Sequence, residues 1–176
     1  VHSLTHFRLL RNAPARAHGD RLVSFANPAS KSGPLPGAED EARRIGGLFP
    51  EGKRLLLSGL EATETRAREV GIFEGARLVH FACHGSFDPA SRLGARLLLA
   101  PDDREDGSLT AEEMQALRIP ADLVILSACR TGEGLASRGE GPGTLGRIVH
   151  LAGAPSTLVS LWRIDDRATA DLVLAF

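Results

Sequence analysis

Cysteine is scarce in this chain, which holds only Cys83 and Cys129 in 176 residues. Two thiols do not make a disulfide framework, so the fold has to rest on its hydrophobic core. Free thiols also suit a reducing, cytoplasmic setting. An excess of either charge is missing as well. A formal net charge of -1 removes the electrostatic case for nucleic acid or an anionic membrane as partner. No apolar run reaches the ~18–20 residues that cross a bilayer, and the opening VHSLTHFRLL lacks the basic-then-apolar layout of a secretory signal. There is no internal repeat and no low-complexity stretch. The G-x-S-x-G elbow of the serine hydrolases is absent. So are C-x-x-C spacing and an H-E-x-x-H helix, and no metal or other cofactor is expected.

What the chain does have is alternation. RLVSFANP (Arg21–Pro28), KRLLLSG, ARLVHFACHG (Ala76–Gly85), ADLVILSAC (Ala121–Cys129) and PSTLVSLW read as five strands. Arg96–Ala100 adds a short strand inside a turn-rich excursion. Between them lie AEDEARRIGGLF, with acids ahead of arginines as the helix dipole favours, and EATETRAREVGIF. LTAEEMQALRIP follows, with Thr110 and Glu113 at capping-box spacing. A helix from about Thr144 to Ala152 and another opening at DDRATADL complete the series. The central strands are continuous apolar runs, which predicts an α/β fold: a mostly parallel sheet with helices on both faces. Residues 1–20 read as the remnant of a truncated domain start, and residues 21–176 as the main domain, with its C-terminal helix cut short.

In open parallel sheets, ligands bind beyond the carboxyl ends of the strands. Here one strand ends on Cys83-His84-Gly85 and another on Cys129. If the two are neighbours, His84 and Cys129 emerge at the same edge. Alternation sets His80, Ala82 and His84 on one face with Cys83 turned away, and Ser127 shares a face with Cys129. A thiol attacks as thiolate, and an adjacent imidazole can take its proton and later protonate a leaving amine. Gly85, whose backbone can approach a bound peptide closely, and the N–H of Cys129 are the candidate oxyanion donors. The plainer alternative for Cys129 is inert packing, as for many strand-end cysteines, and Cys83 reads as core.

LVHFACHGSFD and DLVILSACRTGEG resemble the two signature segments of CHAT-domain cysteine proteases, bacterial relatives of caspases and separases in clan CD. Cys83 stands where threonine is common in that family, and Arg130 where an acid or amide is common. LPGAEDEARRI resembles the family's first helix, SLTAEEMQAL the helix before the nucleophile strand, and the segment from Ser137 to Leu172 the part that follows it. HSLTHFRLLR is similar to a helix from the middle of the family's domain, which agrees with a missing N-terminal part. The resemblance implies a caspase-like three-layer sandwich and a cysteine endopeptidase with a His84–Cys129 dyad. It also implies a protein or peptide substrate and regulation through an attached or partner domain, such as tetratricopeptide repeats.

In caspase-like enzymes, the region of STLVSLW and RIDD helps to build the pocket for the residue before the cut. Asp165 or Asp166, and Glu140 in SRGEG, are therefore candidates to pair with a basic substrate side chain. Asp165 reads equally well as a helix N-cap, with Asp166 in the first turn. Asn27 stands at the end of the first strand, where the family often has an acid. Two decoys are set aside. GPGTLG (Gly141–Gly146) matches the dinucleotide spacing but does not follow directly on a strand. His80 and His84 lie four apart on what reads as a strand, with no glutamate following the first. The rival to the enzyme is a catalytically silent, caspase-like interaction module. Retention of both cysteine and histidine favours the enzyme.

Overall fold

The computed structural model describes residues 19–87, 94–128 and 144–159. In chain order these form β1 (Arg21–Pro28), α1 (Pro36–Gly46), β2 (Arg54–Gly59), α2 (Glu64–Ala67), β3 (Ala76–Ala82) and β4 (His84–Phe87). They continue as β5 (Ala95–Leu98), β6 (Ser108–Thr110), α3 (Ala111–Ala116), β7 (Leu123–Leu126), α4 (Thr144–Leu151) and β8 (Ser156–Val159). Five strands form a central sheet in the order β2-β1-β3-β7-β8. Every pairing in it is parallel. A smaller sheet, β4-β5-β6, is antiparallel.

The strands read as unbroken apolar runs because both faces of the sheet are covered. Val23, Phe25, Val79, Phe81, Val124 and Leu126 face one large cluster, shared with Met114 of α3, Leu145, Ile148 and Val149 of α4, and Leu97 and Leu109 of the small sheet. Phe25 stacks on Phe81 with ring centroids 5.2 Å apart. The other face is covered by α1. Its buried stripe is Ala38, Glu41, Ala42 and Ile45, the spacing of one helical face. Ala38 and Ala42 lie on Ala26 and Ala82, and Ile45 lies on Leu22 and Ile125. This is the expected three-layer α/β arrangement. No helix of the described residues is long and apolar enough to cross a membrane.

Three expectations are corrected. The third strand stops at Ala82 instead of running to Gly85, because the chain bends at Cys83 and His84–Phe87 pair antiparallel with Ala95–Leu98. Apolar content does not report which partner a strand end takes. The fourth strand is shorter than Ala121–Cys129, since β7 is paired with β3 only over Leu123–Leu126. The helix expected over EATETRAREVGIF is the single turn Glu64–Ala67, capped by Thr63. It gives way to turns that pass through Gly71 at φ 83°, a left-handed conformation that does not continue a helix. Thr110 and Glu113 form the expected capping box, whereas the helix expected at DDRATADL lies outside the described residues.

Candidate functional site

Of the two candidate dyad residues, His84 is described, just past the carboxyl end of β3 in the parallel sheet. In the register of β3 with β7, Phe81 pairs with Leu126. In the sequence, His84 and Cys129 each come three residues after that pair. The described residues reach Ala128. Cys129, Glu140, Asp165 and Asp166 lie outside them. His84 and Gly85 open β4 opposite Leu98 and Leu97 of β5.

His84 is half-buried, and its Nε2 lies 3.1 Å from the carbonyl oxygen of Gly33. A carbonyl can only accept, so Nε2 carries the hydrogen and a neutral imidazole keeps its lone pair on Nδ1. Gly33 belongs to the loop between β1 and α1 and sits at φ 91°, where glycine carries no steric penalty. The loop is held at its root by Asn27, which has φ 47°. Asn27 is also the extra residue in the register between β1 and β2, where Ala26 pairs with Ser58 and Pro28 with Gly59. Its Oδ1 accepts the Leu35 N–H at 2.6 Å, and its Nδ2 donates to Glu39 Oε2 at 3.2 Å. A short polar side chain that tolerates the left-handed region and bonds locally is what this turn needs.

Beneath this edge, between α1 and the sheet, lies a polar chain that sequence reasoning did not find. Ser24 Oγ is 3.0 Å from His80 Nδ1, and His80 Nε2 is 2.9 Å from Glu41 Oε1. The Ser127 hydroxyl donates to the same Glu41 oxygen at 2.7 Å. Ser24, His80 and Glu41 are buried. The available signal was a polar residue in phase with each apolar strand, together with a glutamate inside the helix stripe. His80 is thus committed to the interior rather than poised with His84 for zinc.

Cys83 is 1% exposed, and burial pushes its thiol up to about 12, although the Leu98 backbone N–H lowers it. It is core, as expected, and ill-suited to attack. Glu64, Glu105 and Glu113 are close enough together to share an ion. The Arg68 guanidinium already meets all three, at 3.3, 2.7 and 3.2 Å, so the cluster holds its own cation. The last glycine of the dinucleotide-like motif, Gly146, packs inside α4. A Cβ there would stand 3.4 Å from Thr157 Oγ1 and from Val159 Cγ1. That glycine therefore has a close helix–sheet contact to explain it.

No curated protein matches this chain. A family model described as the CHAT domain matches residues 1–176, a span that includes both signature segments. The chain belongs to the CHAT domain family, a caspase-like family of clan CD related to the cysteine peptidases.

Proposed function

We propose that this chain is a cysteine endopeptidase domain in which His84 and Cys129 form the catalytic dyad. The observation that carries the reading is the Gly33 carbonyl on His84 Nε2. It fixes the tautomer and leaves the Nδ1 lone pair to serve as the proposed base, and β7, the neighbour of β3, ends three residues before Cys129 in the sequence. In the reaction, Nδ1 takes the thiol proton and the sulfur attacks the peptide carbonyl. The N–H groups of Gly85 and Cys129 receive the oxyanion. The imidazolium then protonates the departing amine, and water, deprotonated by the same nitrogen, releases the acyl group. The Gly33 carbonyl also stabilises the imidazolium, because the hydrogen bond strengthens when the ring is charged.

Asp165, Asp166 and Glu140 are proposed to favour arginine or lysine before the cut. Exposed loops and an attached or partner sensing domain are proposed to regulate access, in the cytoplasm. No cofactor is needed for this chemistry.

The test is covalent labelling of Cys129 by a peptide-based electrophile, together with profiling against peptides varied at the cut site. Labelling and hydrolysis that vanish in Cys129→Ala and His84→Ala support the dyad. Labelling of Cys129 no faster than a free thiol and unchanged in His84→Ala, with no hydrolysis, would establish the silent interaction module instead. A strict requirement for aspartate at the cut would overturn the basic preference.

A further inference from the structure

We infer that Glu41 and Ser127 are positioning residues that set the carboxyl end of β7, and so the sulfur, relative to His84. This rests on the endopeptidase reading for its catalytic consequence, though not for its structural one.

The relay crosses three adjacent strands and the helix above them. Ser24 belongs to β1, His80 to β3, Ser127 follows β7, and Glu41 projects from α1. Burying an ionisable pair is costly unless its hydrogen bonds are met. Apolar side chains at these positions would fill the same space. What they would lack is direction: two donors converging on Glu41 Oε1 fix both the rotation of Ser127 and the height of α1 over the sheet. Ser127 lies two residues before Cys129.

The same unit of chain reaches the other half of the dyad. Gly33, three residues before α1 begins, supplies the carbonyl on His84. The segment Gly33–Glu41 therefore has one arm on the imidazole and one on the nucleophile strand. A shift of α1 moves both together, and misplacing reacting groups by about 1 Å costs on the order of a hundredfold in rate.

The experiment follows amide hydrogen exchange across Leu123–Ala128, iodoacetamide alkylation of Cys129 and hydrolysis of the best profiled peptide. The variants are Ser127→Ala, Glu41→Gln and the double variant. Glu64→Gln, a buried glutamate on a different helix, is the control for general destabilisation. Each single variant is expected to raise exchange at the end of β7 about tenfold and to lower kcat about tenfold with little change in KM. Cys129 alkylation should change in both, and the double variant should be no worse than either, because the two residues share one interaction. Glu64→Gln should leave all these readouts unchanged.

Unchanged exchange in Glu41→Gln, additive effects in the double variant, or raised exchange with unchanged kcat would each overturn the positioning role. If the wild type hydrolyses no peptide, the endopeptidase reading fails separately, and exchange and alkylation still decide the relay. Ser127→Ala introduces no buried charge and removes only a hydroxyl, so it keeps the test readable should Glu41→Gln fold poorly.

Discussion

Asn27 offers the sharpest test of how the site is held, because one side chain combines a left-handed backbone with two hydrogen bonds. Its φ of 47° costs an ordinary side chain about 1–2 kcal/mol. Its Oδ1 satisfies the Leu35 N–H at 2.6 Å, and removing that acceptor leaves a part-buried donor unmet, at about 1 kcal/mol. Asn27→Ala incurs both losses, for a total of about 2–3 kcal/mol. Asn27→Gly relieves the backbone and loses only the hydrogen bonds plus some unfolded-state entropy, about 1–2 kcal/mol. For a chain of this length, Tm should fall by about 5–10 °C in Asn27→Ala and by roughly half that in Asn27→Gly. Urea unfolding checks the energies, and nitrogen NMR of the histidine rings checks the site. Loosening the loop that carries Gly33 should turn His84 from one tautomer into a mixture in Asn27→Ala. Equal stability of the alanine and glycine variants would refute the strain argument. A stable alanine variant in which His84 keeps Nε2–H would refute the link from Asn27 to the imidazole.

Other outcomes follow from single groups. The Glu64 carboxyl is held above its ordinary 4.5 by burial and by the neighbouring Glu113 and Glu105, against the Arg68 hydrogen bond. The folded state therefore keeps this proton after the unfolded chain has lost it. Its contribution to stability is greatest below about pH 4.5 and declines as pH rises through the folded value. Glu64→Gln should flatten that decline in unfolding curves run from about pH 4 to about pH 7. A steeper decline would reverse the sign. Cys83, shifted from 9.0 to about 12, should have roughly a thousandfold less thiolate than an exposed thiol at neutral pH. Mass spectrometry of the alkylated native protein should find the label on Cys129 and almost none on Cys83. Thr110→Ala removes the cap of α3, whose hydroxyl accepts the Glu113 N–H. It should cost about 1 kcal/mol, or about 2–4 °C in Tm.

Continuous apolar strands announced a sheet buried on both sides, and the hydrophobic effect alone makes that reading robust, since Val23, Phe25, Val79, Phe81, Val124 and Leu126 have no other place to go. Thr110 and Glu113 were equally legible, because a capping box is local chemistry. The break at Cys83 was not, since the pairing of His84 with Leu98 is decided by a strand that returns from a turn-rich excursion. The partner of His84 was harder still. A backbone carbonyl has no letter in a sequence, so no residue name pairs the Gly33 carbonyl with the imidazole. Glu41 and His80 did have letters, but each was read against its own element: one as part of an acidic helix start, the other as a failed zinc ligand. Only the packing of α1 on the sheet, which brings Glu41 to His80 while the parallel register sets His80 beside Ser24, shows them to be one structure. Side chains named for the chemistry were visible one at a time, whereas the groups that aim them are defined by contacts between distant segments. Catalytic residues in a fold of this kind can therefore be proposed from motifs, but the residues that aim them have to be sought where helix and sheet meet.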